Sequence, residues 1–307
     1  MTLKYLITGA TGGLGGLILE YFIPNIPLGE FAVSSSRTEN KGVFERRGIQ
    51  FRHLNYEDPA TLEVGLRDVQ NLLFVSTNTN VIHIDRILRH HRNVVTAAAK
   101  ANVLHVWYTS LPFGGFGNDS EVAVQQQHIA TEKMLQESGL VYTCIREGIY
   151  TEAFPLFLNW YADTTHIILP YDGEVAFTSR EDLAEGTARL MIRGGYEKET
   201  VLLTAGETIT AMEIVDTINQ VTGRQLPMQL VSKEEFLAHH TQHDKGKKSM
   251  ELFEILASWW KAAARGELKL TDGLLGEILG REPLTPQQAV KKLLQNRADH
   301  TWHQNYA

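Results

Sequence analysis

A single cysteine, Cys144, stands among 307 residues. No intramolecular disulfide can form and no cysteine metal cluster can be assembled. That economy fits a reducing compartment. Basic charge is also scarce: 29 Lys and Arg against 36 Asp and Glu leave a formal net charge of −7. General nucleic-acid binding needs a concentrated basic face, so the balance argues against it. No stretch approaches the ~18 consecutive apolar residues of a membrane span. The opening MTLKYLITG lacks the charged n-region and small-residue cleavage site of a signal peptide. Histidines His90 and His91, like His239 and His240, are adjacent and do not share a helix face as an i,i+4 ligand pair does. These absences lead to the expectation of a cytoplasmic protein without metal, nucleic acid or membrane among its partners.

What is present is ordinary globular material, 43% hydrophobic and 21% charged, enough to bury a sizeable core. Short β-rich runs alternate with helical spacings through the first half. Strands are expected over residues 4–8, 31–35, 49–54, 71–76, 104–109 and 141–146. Helices are expected over 14–22, ending before Pro24, and over 43–47, 61–66, 84–101 and 121–138. Strands separated by helices of this length demand right-handed crossovers. The fold class is therefore α/β, a doubly wound parallel (Rossmann) sheet. Ligands of such sheets lie beyond the carboxyl ends of the strands, where strand order reverses.

After about residue 150 the pattern loosens. Residues 1–150 are read as the Rossmann domain and 151–307 as a smaller, mainly helical lobe. Segments within about 175–205 are expected to return to the sheet: strands over 175–178 and 200–204 and a helix over 182–192. Residues 239–249, HHTQHDKGKKS, read as a loop, and 250–264 as an amphipathic helix.

One motif sits where the fold would use it. LITGATGGLGG places Gly9, Gly12 and Gly15 after the first strand and at the opening of the first helix. Gly9 permits a tight turn, Gly12 lets a diphosphate approach the backbone, and Gly15 lets the helix pack closely on the strand. The helix N-terminus then offers free N–H groups and a positive dipole end. After the second strand comes AVSSSRTENK. No acid ends that strand to bind a ribose 2′-hydroxyl; Ser34, Ser35, Ser36 and Arg37 stand there instead. Arg37 offers a charged fork to a 2′-phosphate, which points to NADPH. The alternatives are a merely solvated Arg37 and a ribose-binding Glu39. Lys41 is a further phosphate candidate.

HRNVVTAAAKANVLHVWYTS (91–110), HIATEKMLQESGLVYTCIREGIYTEAF (128–154), FTSREDLAEGTARLM and GREPLTPQQAVKKLL, with the TGATGGLG start, resemble the NmrA-like atypical short-chain dehydrogenase/reductases. Within that group the look is of its bacterial NADPH:quinone reductases and triphenylmethane-dye reductases. The resemblance implies a Rossmann domain and a small lobe with the active site between them. It implies that Gly9, Thr11, Gly12, Leu14 and Gly15 hold the diphosphate and Arg37 the 2′-phosphate. It sets Ser76 and Thr77, then Tyr108, Thr109 and Ser110, along the ribose and nicotinamide, with Lys133 at the nicotinamide ribose. The superfamily's Tyr-x-x-x-Lys dyad is absent, because Ile129 stands four residues before Lys133. His128 is the nearest polar stand-in. Relatives commonly read Arg-Asn-Gly after the sixth strand, where this chain has Arg146, Glu147 and Gly148. They also commonly carry an Asp at the third strand's exit, where this chain has Asn55 and Tyr56.

Without the dyad tyrosine, carbonyl reduction lacks its usual proton donor. A quinone yields a delocalised anion that can take its proton from water, and a cationic dye accepts hydride at carbon. Such chemistry needs mainly the positioning of a flat acceptor. His128 is either an acid catalyst or a residue that orients its helix. Lys133 is either a ribose ligand or a surface residue paired with Glu132 or Glu137. Phe113, Tyr150 and Phe154 are candidate acceptor contacts, with Phe116, Trp259 and Trp260 as further aromatics. The run Phe113-Gly114-Gly115-Phe116-Gly117 suits a mobile loop over the site. Cys144 lies in a buried strand and is expected to be inert. The competing expectation is an NADP(H)-binding redox sensor that acts on a regulatory protein partner with little or no catalysis.

Overall fold

The computed structural model describes residues 2–77 and 83–302. The first half runs β1 (Leu3–Ile7), α1 (Gly13–Asn25), β2 (Phe31–Ser35), α2 (Lys41–Glu45), β3 (Gln50–His53), α3 (Pro59–Gly65), β4 (Val69–Phe74), α4 (Ile84–Lys100), β5 (His105–Ser110), α5 (Ala123–Glu137) and β6 (Val141–Glu147). Then follow α6 (Phe154–Phe157), β7 (Ile167–Leu169), α7 (Arg180–Arg193), β8 (Glu199–Leu203), α8 (Ala211–Thr222), β9 (Met228–Leu230), α9 (Lys233–His243), α10 (Met250–Ala264), α11 (Leu274–Leu279) and α12 (Pro286–Asn296). Seven strands form one sheet in the order β3-β2-β1-β4-β5-β6-β8, and every described pairing in it is parallel. Strand order reverses between β1 and β4, so the carboxyl ends of these two strands open the crevice where such sheets bind ligands.

Both faces of the sheet are covered, which is why its strands read as apolar runs rather than alternating ones. Tyr5, Ile7, Trp107 and Ile145 pack on one face with α1, α7 and α11. Leu6, Val106, Tyr108 and Cys144 pack on the other with α3, α4 and α5. A third core, centred on Phe154, Trp160, Phe177, Phe253 and Trp260, holds the lobe together. There β7 and β9 pair in parallel as a separate two-stranded sheet.

Three expectations are corrected. α1 runs through Pro24 to Asn25 instead of ending before it. The proline falls in the last turn, and the Asn25 side-chain amide donates to the Tyr21 carbonyl at 2.7 Å, satisfying an acceptor there. Residues 175–178 are not a strand of the main sheet; they make only isolated bridges, Val175 to Ile209 and Thr178 to Tyr150. β8 alone adds a seventh strand, beside β6. The polar stretch after residue 238 is not all loop, because α9 continues to His243. His240 anchors it. One ring nitrogen pairs with Asn159 Nδ2 at 2.9 Å and the other with the Ile168 carbonyl at 3.2 Å, while the ring stacks on Phe253.

Candidate functional site

β1 ends in a turn that only glycine can make easily. Gly9 has φ +64°, and its carbonyl accepts from Gly12 N at 2.8 Å. A Cβ on Gly15 would lie 2.4 Å from the Gly9 carbonyl oxygen, so this glycine lets α1 press against the strand exit. α1 follows Gly12 as its N-cap and, like α4, α5 and α7, has no side-chain cap; its first turn borders the cavity through Gly12, Gly13 and Leu14. The first-turn N–H groups of α1 therefore face the crevice without a side-chain acceptor, the arrangement that receives an anion.

A cavity of about 600 Å³ starts at this turn and runs toward the lobe. Gly9, Thr11, Gly12, Leu14 and Gly15 line it at one end, with Ser34, Ser35 and Ser36 from the β2 exit. Asn55, Tyr56, Ser76 and Thr77 follow at the β3 and β4 exits, and Thr109, Ser110, Phe113 and His128 beyond β5. The far end is aromatic, with Tyr150, Phe157, Trp259 and Trp302. Arg37 is exposed beside Ser36 and is outside the lining.

Beneath the lining lies a buried polar network that sequence reasoning did not find. Thr131 Oγ1 donates to the Gln127 carbonyl at 3.0 Å and so accepts from His91 Nδ1 at 2.8 Å. His91 Nε2 is then the acceptor that faces Thr77 N at 3.4 Å and Ser76 Oγ at 3.5 Å. Burial holds His91 neutral by lowering its pKa well below the usual histidine value. Arg146, also buried, uses all five of its N–H donors. Two meet Glu132 at 2.7 and 3.0 Å, two meet the carbonyls of Gly115 and Gly117 at 2.7 Å, and one meets Asn118 Oδ1 at 2.6 Å. Glu132 Oε1 also accepts from Ser110 Oγ at 2.6 Å.

This network overturns the mobile-loop expectation: the 113–117 segment is tied to β6 through Arg146. Phe113 is buried and lines the cavity, while Phe116 points to solvent. Three other expectations fail on geometry, and one on charge. Lys133 is not at the cavity; its side chain is 69% exposed and its ammonium lies 3.7 Å from Glu137. Helical periodicity explains this. His128 and Glu132, four residues apart, share the buried face of α5, and Lys133 is rotated about 100° from Glu132. Tyr108 is buried behind the lining, where its hydroxyl pairs with His128 Nδ1 at 2.8 Å. Strand alternation turns Tyr108 away while Thr109 reaches the cavity. Phe154 belongs to the lobe core and does not line the cavity. His128 does line it, but burial and then the positive charge of Arg146 bring its pKa down to about 3. The ring is neutral at physiological pH and holds no imidazolium proton to give.

Glu147 has the opposite character. It lines the cavity with 1% of its surface exposed. Tyr150 OH donates to its Oε2 at 2.9 Å and Thr187 Oγ1 to its Oε1 at 3.2 Å. Burial outweighs both hydrogen bonds and raises its pKa to about 8. Arg180, on α7, also reaches the glycine turn: a Cβ on Gly13 would lie 2.0 Å from its Nη1. Its guanidinium stands over the rings of Tyr150 and Trp302 at 5.8 and 5.0 Å. Both residues lay inside quoted motifs, but only the fold turns them toward the crevice.

The family model for the NmrA-like family matches residues 1–257. The chain is 63% identical over 305 residues to the NmrA-like family domain-containing oxidoreductase flvB of Aspergillus flavus, covering 99% of each chain. Among solved structures it resembles the NADPH-dependent quinone oxidoreductase QOR2 of Escherichia coli, complexed with NADPH. The TM-score is 0.83 at 28% identity, covering 95% of this chain and 100% of that one. The triphenylmethane reductase of Citrobacter sp. gives a TM-score of 0.84 at 26% identity with the same coverage. Fold and cleft thus define a class, the Rossmann-type oxidoreductases with a small helical lobe. The chain belongs to the NmrA-like family.

Proposed function

We propose that this protein is an NADPH-dependent oxidoreductase that delivers hydride to a quinone or a similar flat conjugated acceptor. The observation that carries this reading is the continuity of one cleft, from the uncapped N-terminus of α1 to an aromatic end. Gly9, Thr11, Gly12, Leu14 and Gly15 would hold the diphosphate on that helix terminus. The three serines at the β2 exit and the neighbouring Arg37 would receive the 2′-phosphate. Ser76, Thr77, Thr109 and Ser110 would flank the nicotinamide half. Bound NADPH supplies the hydride. The protein positions the acceptor between Phe113, Tyr150, Phe157 and Trp259. The activities named for the Escherichia coli and Citrobacter proteins, quinone and triphenylmethane reduction, and their structures with NADPH or NADP(H), support the same reading.

The test is the loss of nicotinamide absorbance when purified protein meets NADPH or NADH and a panel of quinones and cationic dyes. Turnover with NADPH preferred over NADH is expected. Tight NADPH binding with no turnover of any acceptor would sink this reading in favour of a redox sensor.

A further inference from the structure

Resting on that reading, we propose that Glu147, coupled to the Tyr150 hydroxyl, is the proton donor of the reaction and suits the site to acceptors whose reduction leaves an oxygen anion. Quinones and conjugated carbonyls are in that class, and carbocationic dyes are not.

The placement carries the inference. β6 ends at the crevice, and alternation along it sends Arg146 to the α5 face and Glu147 to the α7 face. Arg146 is fully engaged by Glu132 and the 113–118 segment, so it lends Glu147 no counter-charge. From α7 only the Thr187 hydroxyl meets the carboxyl, and from the segment after β6 only the Tyr150 hydroxyl. The charges of Arg180 and Glu152 act on Tyr150 rather than on Glu147. His128 faces the same cavity from α5 as a neutral ring. A carboxyl buried without a cation keeps its proton near neutral pH, and this one lines the cavity.

Both partners that hold Glu147 are hydroxyls, and Tyr150 itself lines the cavity. The acceptor receives hydride at one atom, and the electron pair so displaced collects on its oxygen. Glu147 gives its proton to that oxygen, directly or through Tyr150 OH, and becomes a carboxylate. A proton from water restores the acid after product leaves. The sum is acceptor plus NADPH plus one proton giving the dihydro product and NADP⁺. Glu147 thereby fills the role left vacant by Ile129 at the superfamily's tyrosine position.

The experiment uses 1,4-benzoquinone and NADPH with wild type, Glu147→Gln and Tyr150→Phe, measuring kcat against pH, with NADPH binding checked by fluorescence. Wild-type kcat should fall as pH rises through about 8. Glu147→Gln should bind NADPH normally, lose roughly tenfold or more in kcat, and show no such limb. Tyr150→Phe removes a hydrogen bond that favours the ionised carboxyl, so its limb should move to higher pH. Infrared difference spectra of the NADPH-loaded protein should show a protonated-carboxyl band at neutral pH that Glu147→Gln lacks. Wild-type turnover with an unchanged rate and profile in Glu147→Gln overturns the donor role alone, as does a missing carboxyl band. No quinone reduction at any pH overturns the functional reading and the donor role with it.

Discussion

At the scale of single residues, two arginines behave in opposite ways. Arg37 is exposed and uncommitted to the fold, so its value lies in the ligand. Arg37→Ala should weaken NADPH by roughly 1.5–3 kcal/mol, the worth of a hydrogen bond to a charged group, and leave NADH unchanged. Fluorescence titration with both cofactors reads this directly; equal losses would remove the 2′-phosphate role. Arg146 is buried and wholly committed to the fold. Arg146→Ala leaves the Glu132 carboxylate buried without its partner, which should cost about 3–5 kcal/mol in urea denaturation. It also frees the Gly115 and Gly117 carbonyls, so KM for the acceptor should rise as the 113–117 segment loosens. Adding Glu132→Leu to that variant should recover part of the stability, because no charge is then left unpaired. Arg146 was visible in the sequence as a residue of a strand. Nothing local marked it as the tie between that strand and a loop about thirty residues earlier, because its partners meet only when β5, α5 and β6 pack.

At the scale of elements, positions were legible and orientation was not. All eleven of the expected strands and helices in the first half overlap their observed spans to within a few residues, including residues 31–35, read without error. Apolar runs and Asp58 before Pro59 explain that success: Asp58 Oδ1 accepts from Ala60 N at 3.0 Å and starts α3. The rotation of α5 about its axis was the costly miss, since it separates His128, which reaches the cavity, from Lys133, which does not. Nothing local marked that rotation: of Val124, His128, Thr131, Glu132 and Leu135, which share the buried face, three are polar, so no apolar stripe shows. In the lobe, α8 owes its start to Thr210 and Glu213, whose side chains and backbone amides exchange hydrogen bonds as a capping box. Thr210→Ala should lower stability by about 1 kcal/mol with no change in NADPH affinity, because α8 lines no part of the cleft. Thermal denaturation and cofactor titration of the same variant check both halves of the statement.

At the scale of the whole molecule, buried titratable groups set a pH optimum for stability. His91, His105, His128 and His240 all have pKa values pushed down by burial, the last three to about 4, 3 and 4. The unfolded chain binds more protons than the folded one below the ordinary value of 6.5. Their contribution is therefore in force above that pH and is lost as pH falls. Glu147 is raised from 4.5 to about 8, so its contribution is in force below 4.5 and lost as pH rises through about 8. Between 4.5 and 6.5 four histidines oppose one glutamate, and stability should climb with pH. Above 6.5 only Glu147 of these five still titrates, and stability should decline gently toward 8. Urea midpoints measured across this range should peak near neutrality. A flat profile would count against the burial of these rings and of the carboxyl.

The sequence by itself determined the α/β alternation, the parallel sheet and the glycine turn, because periodicity, turn chemistry and a strand–glycine–helix order are local properties. It also carried the family. Only the tertiary structure decided which side chains face the crevice. Helix rotation and strand alternation, set by packing against distant elements, turned Lys133 to solvent, Tyr108 and Phe154 into cores, and Glu147 into the cleft as a buried acid.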